Sequence, residues 1–156
     1  SVVLVGLLFL EIFYFRFHTY FQETIVNETL PVLSPKTDSD KVENIEPQTI
    51  VNGSFVEVDA VHKGSGVAKI IIQDGKRYLR FENFQVTNGP DLYVYLSESK
   101  TPTNKIKSLD KYISLGLLKG NVGDQNYEIP EPFRGYDTAV IWCQKFGVLF
   151  SYAIME

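Results

Sequence analysis

Beyond residue 50 the apolar residues fall in runs of strand length, and this pattern most limits what the chain can build. The runs are 54–58, 67–73, 77–82, 92–96, 112–117, 127–129, 138–143 and 148–154, each alternating or briefly continuous in its apolar character. Turn formers separate them, and Asp74-Gly75 between two of the runs is a two-residue hairpin signal. No segment in this region holds a helical period. The expectation is an all-β, sandwich-like module of about eight short strands over residues 50–156.

At 156 residues the chain has room for one such core and an appendage, not for separate cofactor and substrate lobes. Fifteen basic against 19 acidic residues give a net charge of −4, which speaks against a nucleic-acid partner. The single cysteine, Cys143, excludes an intrachain disulfide and multi-cysteine zinc or iron–sulfur ligand sets. Only two histidines exist, His18 and His62, so three-histidine zinc sites are excluded too. Cys143 and Met155 stand in the order found in a blue-copper centre, yet no histidine lies between them, and that centre is rejected.

The N-terminal segment has a different character. The chain begins at Ser1, not Met, and is read as a fragment or a processed form. Residues 2–21 have the length of a membrane-crossing helix, interrupted by Glu11 and Arg16. About a dozen Leu, Ile, Phe and Val residues contribute about −4 to −7 kcal/mol to insertion, against about +3 for the carboxylate, while Arg16 is near enough to one end to snorkel. The first alanine is Ala60, so no signal-peptidase site of the A-x-A type is present. The expectation is a single-pass transmembrane anchor over 1–22. A polar linker follows over 23–49, carrying Pro31, Pro35 and Pro47. Two N-x-S/T triplets, at Asn27 and Asn52, have meaning only if the domain is extracytoplasmic.

Five blocks in order carry a family resemblance: G-S-F-V-E-V-D-A-V-H-K-G-S-G-V-A at 53–68, L-R-F-E-N-F at 79–84, G-P-D-L-Y-V-Y-L-S at 89–97, L-G-L-L-K-G-N-V-G-D-Q-N-Y-E-I-P at 115–130 and V-I-W-C-Q-K-F-G-V-L-F-S-Y-A at 140–153. Together they resemble the DM-thirteen domain of the electron-transfer DM family. The resemblance implies a β-sandwich-like extracytoplasmic module, often membrane-tethered or joined to haem-binding DOMON-type modules. It also implies a redox role for the cysteine of the W-C block, here Cys143. This chain has no DOMON domain of its own, so a haem or metal would come from a partner.

Each candidate residue has a structural reading beside the functional one. Alternation puts Ala139, Ile141 and Cys143 on one face of their strand and Val140 and Trp142 on the other, both apolar. Cys143 is then either a small buried hydrophobe or a thiol that ligates or exchanges electrons. His62 precedes Lys63-Gly64-Ser65-Gly66 and is a hydrogen-bonded turn residue or a ligand. Gly89-Pro90-Asp91 punctuates the entry to a strand, with Asp91 the polar group it offers. Tyr93 and Tyr95 share a face and either form an aromatic platform or pack across strands. Trp142, His62 and Asp91 are the supporting residues for Cys143. No catalytic constellation is present. The leading expectation is a membrane-tethered extracytoplasmic domain with a redox role through Cys143; the alternative is a noncatalytic module that binds a protein or glycan.

Overall fold

The computed structural model describes residues 22–31, 47–132 and 134–156. They form eight strands: β1 (Gln48–Ser54), β2 (Gly64–Gln73), β3 (Lys76–Val86), β4 (Leu92–Ser97), β5 (Tyr112–Leu117), β6 (Gln125–Ile129), β7 (Thr138–Cys143) and β8 (Val148–Ile154). One short 3-10 turn, Ile106–Leu109, precedes β5. The strands make two four-stranded sheets, ordered β1-β2-β3-β6 and β5-β4-β7-β8, with every pairing antiparallel. The all-β expectation holds, and the element count with it.

The hairpin at Asp74-Gly75 forms as expected. Both residues take positive φ, 54° and 73°, and Gln73 pairs directly with Lys76. That geometry matches the right-handed twist of the flanking strands, which is why Asp-Gly is favoured there. Alternating residues of both sheets fill the space between them, including Ile70, Leu79, Phe81, Phe84, Leu96, Ile141 and Cys143. The Phe55, Phe81 and Phe84 rings meet at centroid distances of 4.8–4.9 Å at its centre. A second apolar cluster of Tyr95, Leu109, Val140, Trp142 and Leu149 covers the other face of the second sheet.

The first strand departs from expectation. The apolar pattern predicts it at 54–58, and it lies instead at Gln48–Ser54. Only Ile50 and Val51 of it are large and apolar and none of its residues is fully buried, so side-chain periodicity does not mark it; backbone pairing with β2 does. Its Asn52 also exchanges two backbone hydrogen bonds with Glu156, so β1 lies against the chain that leaves β8. Residues 55–56 continue this bridging, with the Phe55 amide donating to Gly66 and the Val56 amide to Tyr152.

Residues 22–31, the opening of the segment expected as a linker, run along the first sheet. The Val26 amide donates to Val122 and the Glu28 amide to Asp124, each at 2.9 Å. Their polar composition supplies bonds to the domain. The rest of the linker, 32–46, and the anchor expected over 1–22, save Gln22, lie outside the described residues. Among the described residues no helix is long and apolar enough to cross a membrane.

Candidate functional site

Cys143 ends β7, opposite Leu92 of β4 and Val148 of β8. The alternation along β7 is as the sequence indicated, with Ala139, Ile141 and Cys143 facing the inter-sheet core and Val140 and Trp142 facing the outer cluster. The thiol has no exposed surface. Its sulfur donates a hydrogen bond to the Pro90 carbonyl oxygen at 2.9 Å. The chain then turns through the exposed residues 144–147, where the Gly147 amide closes back on the Cys143 carbonyl.

Gly89-Pro90-Asp91 is the partner of this turn. Asp91 takes a φ of 61°, and its carbonyl accepts from the Gln144 amide at 3.1 Å. A Cβ on Gly89 would sit 2.6 Å from the Phe150 ring, so glycine is required for the loop to lie this close. The segment expected to punctuate the chain does so by capping the end of β7.

His62 is drawn into the neighbourhood indirectly. Its Nδ1 lies 2.8 Å from an Asp59 carboxylate oxygen, whose other oxygen accepts the Val61 and His62 amides. These bonds, the one from the His62 ring first, hold the Asp59 carboxyl down to about 2. The His62 ring packs edge-on against Phe150 at 4.6 Å, and Phe150 belongs to the same core as Cys143. Phe150 is thus the neighbour of both His62 and the Gly89 loop that holds the Cys143 sulfur, while the polar partners differ: Asp59 for the imidazole and Pro90 for the sulfur.

Trp142 points the other way. It is buried with Tyr95 and Leu149 on the outer face of the second sheet. Tyr93 and Tyr95 do share a face, their centroids 6.3 Å apart, and Tyr95 packs on Tyr112 across the strands at 4.9 Å. The Tyr95 hydroxyl accepts from the Gln144 side chain, and burial pushes its pKa up against that bond. The pair is packing rather than an open platform. Of the four residues singled out by sequence, Cys143 and Asp91 are joined through the Pro90 loop, His62 reaches them through Phe150, and Trp142 lies across the sheet.

An ionic cluster on the first sheet was not anticipated. The buried Arg80 guanidinium donates to Asp124, Glu82, Asn126 and the Glu28 carbonyl. Lys119 binds the Glu28 carboxylate at 2.8 Å. Burial opposes ionisation of Glu28, but the Lys119 hydrogen bond, the Asn126 amide and the Lys119 and Arg80 charges outweigh it and hold its carboxyl below the usual value. The only sequence signal was an arginine flanked by Leu79 and Phe81 within an apolar run. A groove of about 660 Å³ beside this cluster is lined by residues 27–31 with Tyr78, Lys119, Asn126 and Glu128, on the sheet that does not carry Cys143.

A haem or metal ion fits these residues poorly as a resident group. Among the described residues no three histidine, cysteine or carboxylate side chains converge. The Cys143 sulfur faces a carbonyl oxygen, and the His62 Nδ1 is engaged by Asp59. Residues 54–155 match the family described as electron transfer DM13. No curated protein and no solved structure matches the chain.

Proposed function

Because the chain belongs to the electron transfer DM13 family, we propose that it is a membrane-tethered, extracytoplasmic module of an electron-transfer assembly whose redox group is carried by a partner. The observation that carries this reading is the burial of Cys143 with its proton committed to Pro90. A thiol so placed packs the core and offers no surface to a mixed disulfide or an incoming ligand. The domain then contributes a rigid surface and a tether, and a haem-binding module of the DOMON type is a partner of the right chemistry. The tether is supported by the apolar residues 2–21, and an extracytoplasmic side is consistent with the exposed Asn27 and Asn52 triplets.

A redox-active Cys143 is the second reading. It is favoured by position: Cys143 is the last buried residue before the exposed turn 144–147, so a short local opening of this turn together with the Pro90 loop would bring the sulfur toward the surface.

The test is purification of the full chain from its native membrane, followed by an absorption spectrum and metal analysis. The leading reading expects haem or metal absorption that leaves with a co-purifying partner and electron transfer that survives Cys143→Val. Loss of electron transfer in a normally folded Cys143→Val protein would transfer the role to the thiol. Absence of any redox partner, with electron transfer in the membrane unaffected by removing the chain, would leave a protein- or glycan-binding module.

A further inference from the structure

The most exposed large apolar residues gather at one end of the sandwich. Val61 is 66% exposed, Phe146 64%, Ile25 63% and Leu117 58%, followed by Ile50 at 48%. Strand register locates the first four. Val61 lies in the loop entering β2, whose first residue Gly64 pairs with Val86 at the end of β3. Phe146 lies in the β7–β8 turn, beside the start of β4. Leu117 is the last residue of β5, opposite Tyr93. Ile25 bridges to Val122, which in turn bridges to Gln85 near the end of β3. Ile50 belongs to the opposite end, where the start of β1 meets the end of β2.

The same end receives the N-terminal segment. The Gln22 carbonyl accepts from the Asn88 side chain at 2.8 Å, in the loop between β3 and β4. From there residues 24–28 run away toward the other end. The apolar residues 2–21 therefore join the domain where its exposed apolar side chains stand. Charges of both signs surround them, with Lys63 and Lys145 among Glu23, Asp59, Asp91 and Asp124, so no anionic surface is selected.

We propose that this end is the bilayer-facing end of the domain, and that Phe146 and Val61 enter the boundary between headgroups and acyl chains. The inference rests on the membrane tether proposed above and adds an orientation to it. A protein surface seldom leaves such residues clustered without a partner. With the tether attached at Gln22 the nearest apolar phase is the membrane itself, and apolar side chains of this kind are stabilised at its interface.

The experiment uses the full chain reconstituted in phosphatidylcholine vesicles with doxyl groups near the top of the acyl chains. Cysteines introduced one at a time at exposed sites (Phe146→Cys, Val61→Cys and, at the opposite end, Ile50→Cys) carry an environment-sensitive fluorophore, and the unsubstituted chain controls for labelling of Cys143. Quenching several-fold stronger at positions 146 and 61 than at 50 supports the inference. Equal or absent quenching in protein that pellets with the vesicles overturns it and leaves the tether standing. Failure to pellet overturns tether and orientation together. Shielding at 146 without lipid quenching, with cross-linking between copies, overturns it in favour of a second copy of the chain on that surface.

Discussion

The Cys143 sulfur donates to the Pro90 carbonyl across 2.9 Å, tying the end of β7 to the loop that leads into β4. Cys143 and the glycine-proline-aspartate segment thus form one structural unit: the thiol closes a loop whose shape depends on Gly89 lying against Phe150. This unit gives the cysteine a structural place, as a small buried side chain whose S–H satisfies the Pro90 carbonyl.

Cys143 should resist a thiol reagent in the folded protein and react fully on unfolding. Cys143→Ala should cost about 1–2 kcal/mol, from the lost sulfur contacts and the unpaired Pro90 carbonyl. Timed labelling with and without denaturant checks the first expectation, and denaturant melts the second. Fast labelling under native conditions would show that the unit of Cys143 and the Pro90 loop opens readily.

Trp142 sits in the outer cluster with Tyr95, Val140 and Leu149, so its emission should shift red on unfolding. Trp142→Ala should lose about 3–5 kcal/mol. A cost below about 1 kcal/mol in chemical denaturation would mean that the outer cluster contributes little beyond covering the sheet.

The eight-strand pattern was largely readable in the sequence because seven strands carry apolar side chains at strand period, and Asp74-Gly75 marks its own turn. The alternation of β7 likewise assigned Cys143 and Trp142 to opposite faces. What escaped depends on partners distant in sequence. β1 is an edge strand with little buried side chain, and its place is fixed by backbone bonds to β2 and Glu156. Residues 24–28 dock through bonds to Val122, Asp124 and Arg80, which composition registers only as polarity. The bond from Cys143 to Pro90 spans two loops and has no local signature.

Arg80 should be the most costly charged residue to remove. Arg80→Met strips a buried guanidinium from Asp124, Glu82 and the Glu28 carbonyl, and should destabilise by about 3 kcal/mol while loosening residues 22–31. Glu28→Gln removes the charge from the partly exposed Lys119 pair and weakens the bond from the Asn126 amide, and should cost about 0.5–1 kcal/mol. Hydrogen exchange at the Val26 and Glu28 amides would separate the two, with faster exchange expected for the arginine variant.

Stability should fall in acid. Lys69 and Arg80 hold the Glu82 carboxyl below its ordinary 4.5, the Lys69 hydrogen bond leading, and Glu28 is held below the same value. Asp59 is held near 2 against an ordinary 3.8. For carboxyls lowered on folding, the stabilisation is fully present above the unfolded values and is lost as pH falls through the folded ones. Denaturation midpoints should therefore be flat above about pH 5.5 with respect to these groups and decline steadily below pH 4.5. Glu28→Gln and Glu82→Gln should each flatten part of that decline.

Gly53 and Gly75 should respond differently to alanine. A Cβ at Gly53 would lie 1.9 Å from the Ile154 carbonyl oxygen, so β1 must part from the end of β8. At Gly75 the space is open and only the positive φ of 73° is strained, a cost of about 1 kcal/mol. Urea titration of both variants should show Gly53→Ala the more damaging, with a loss above about 2 kcal/mol.

The backbone bonds between Asn52 and Glu156 set a condition on how the protein comes to be folded. The first strand cannot complete its pairing until the chain has been made through residue 156. Closing a loop of that length costs entropy before the contact gives anything back. During synthesis β1 is then held only by its ladder with β2, and the edge that will meet Glu156 stays open to other chains. Completion of the sandwich waits on residue 156 and then runs on the milliseconds-to-seconds scale of folds dominated by distant pairings. For that interval, crowding at the site of synthesis and chaperone access govern the yield of folded domain.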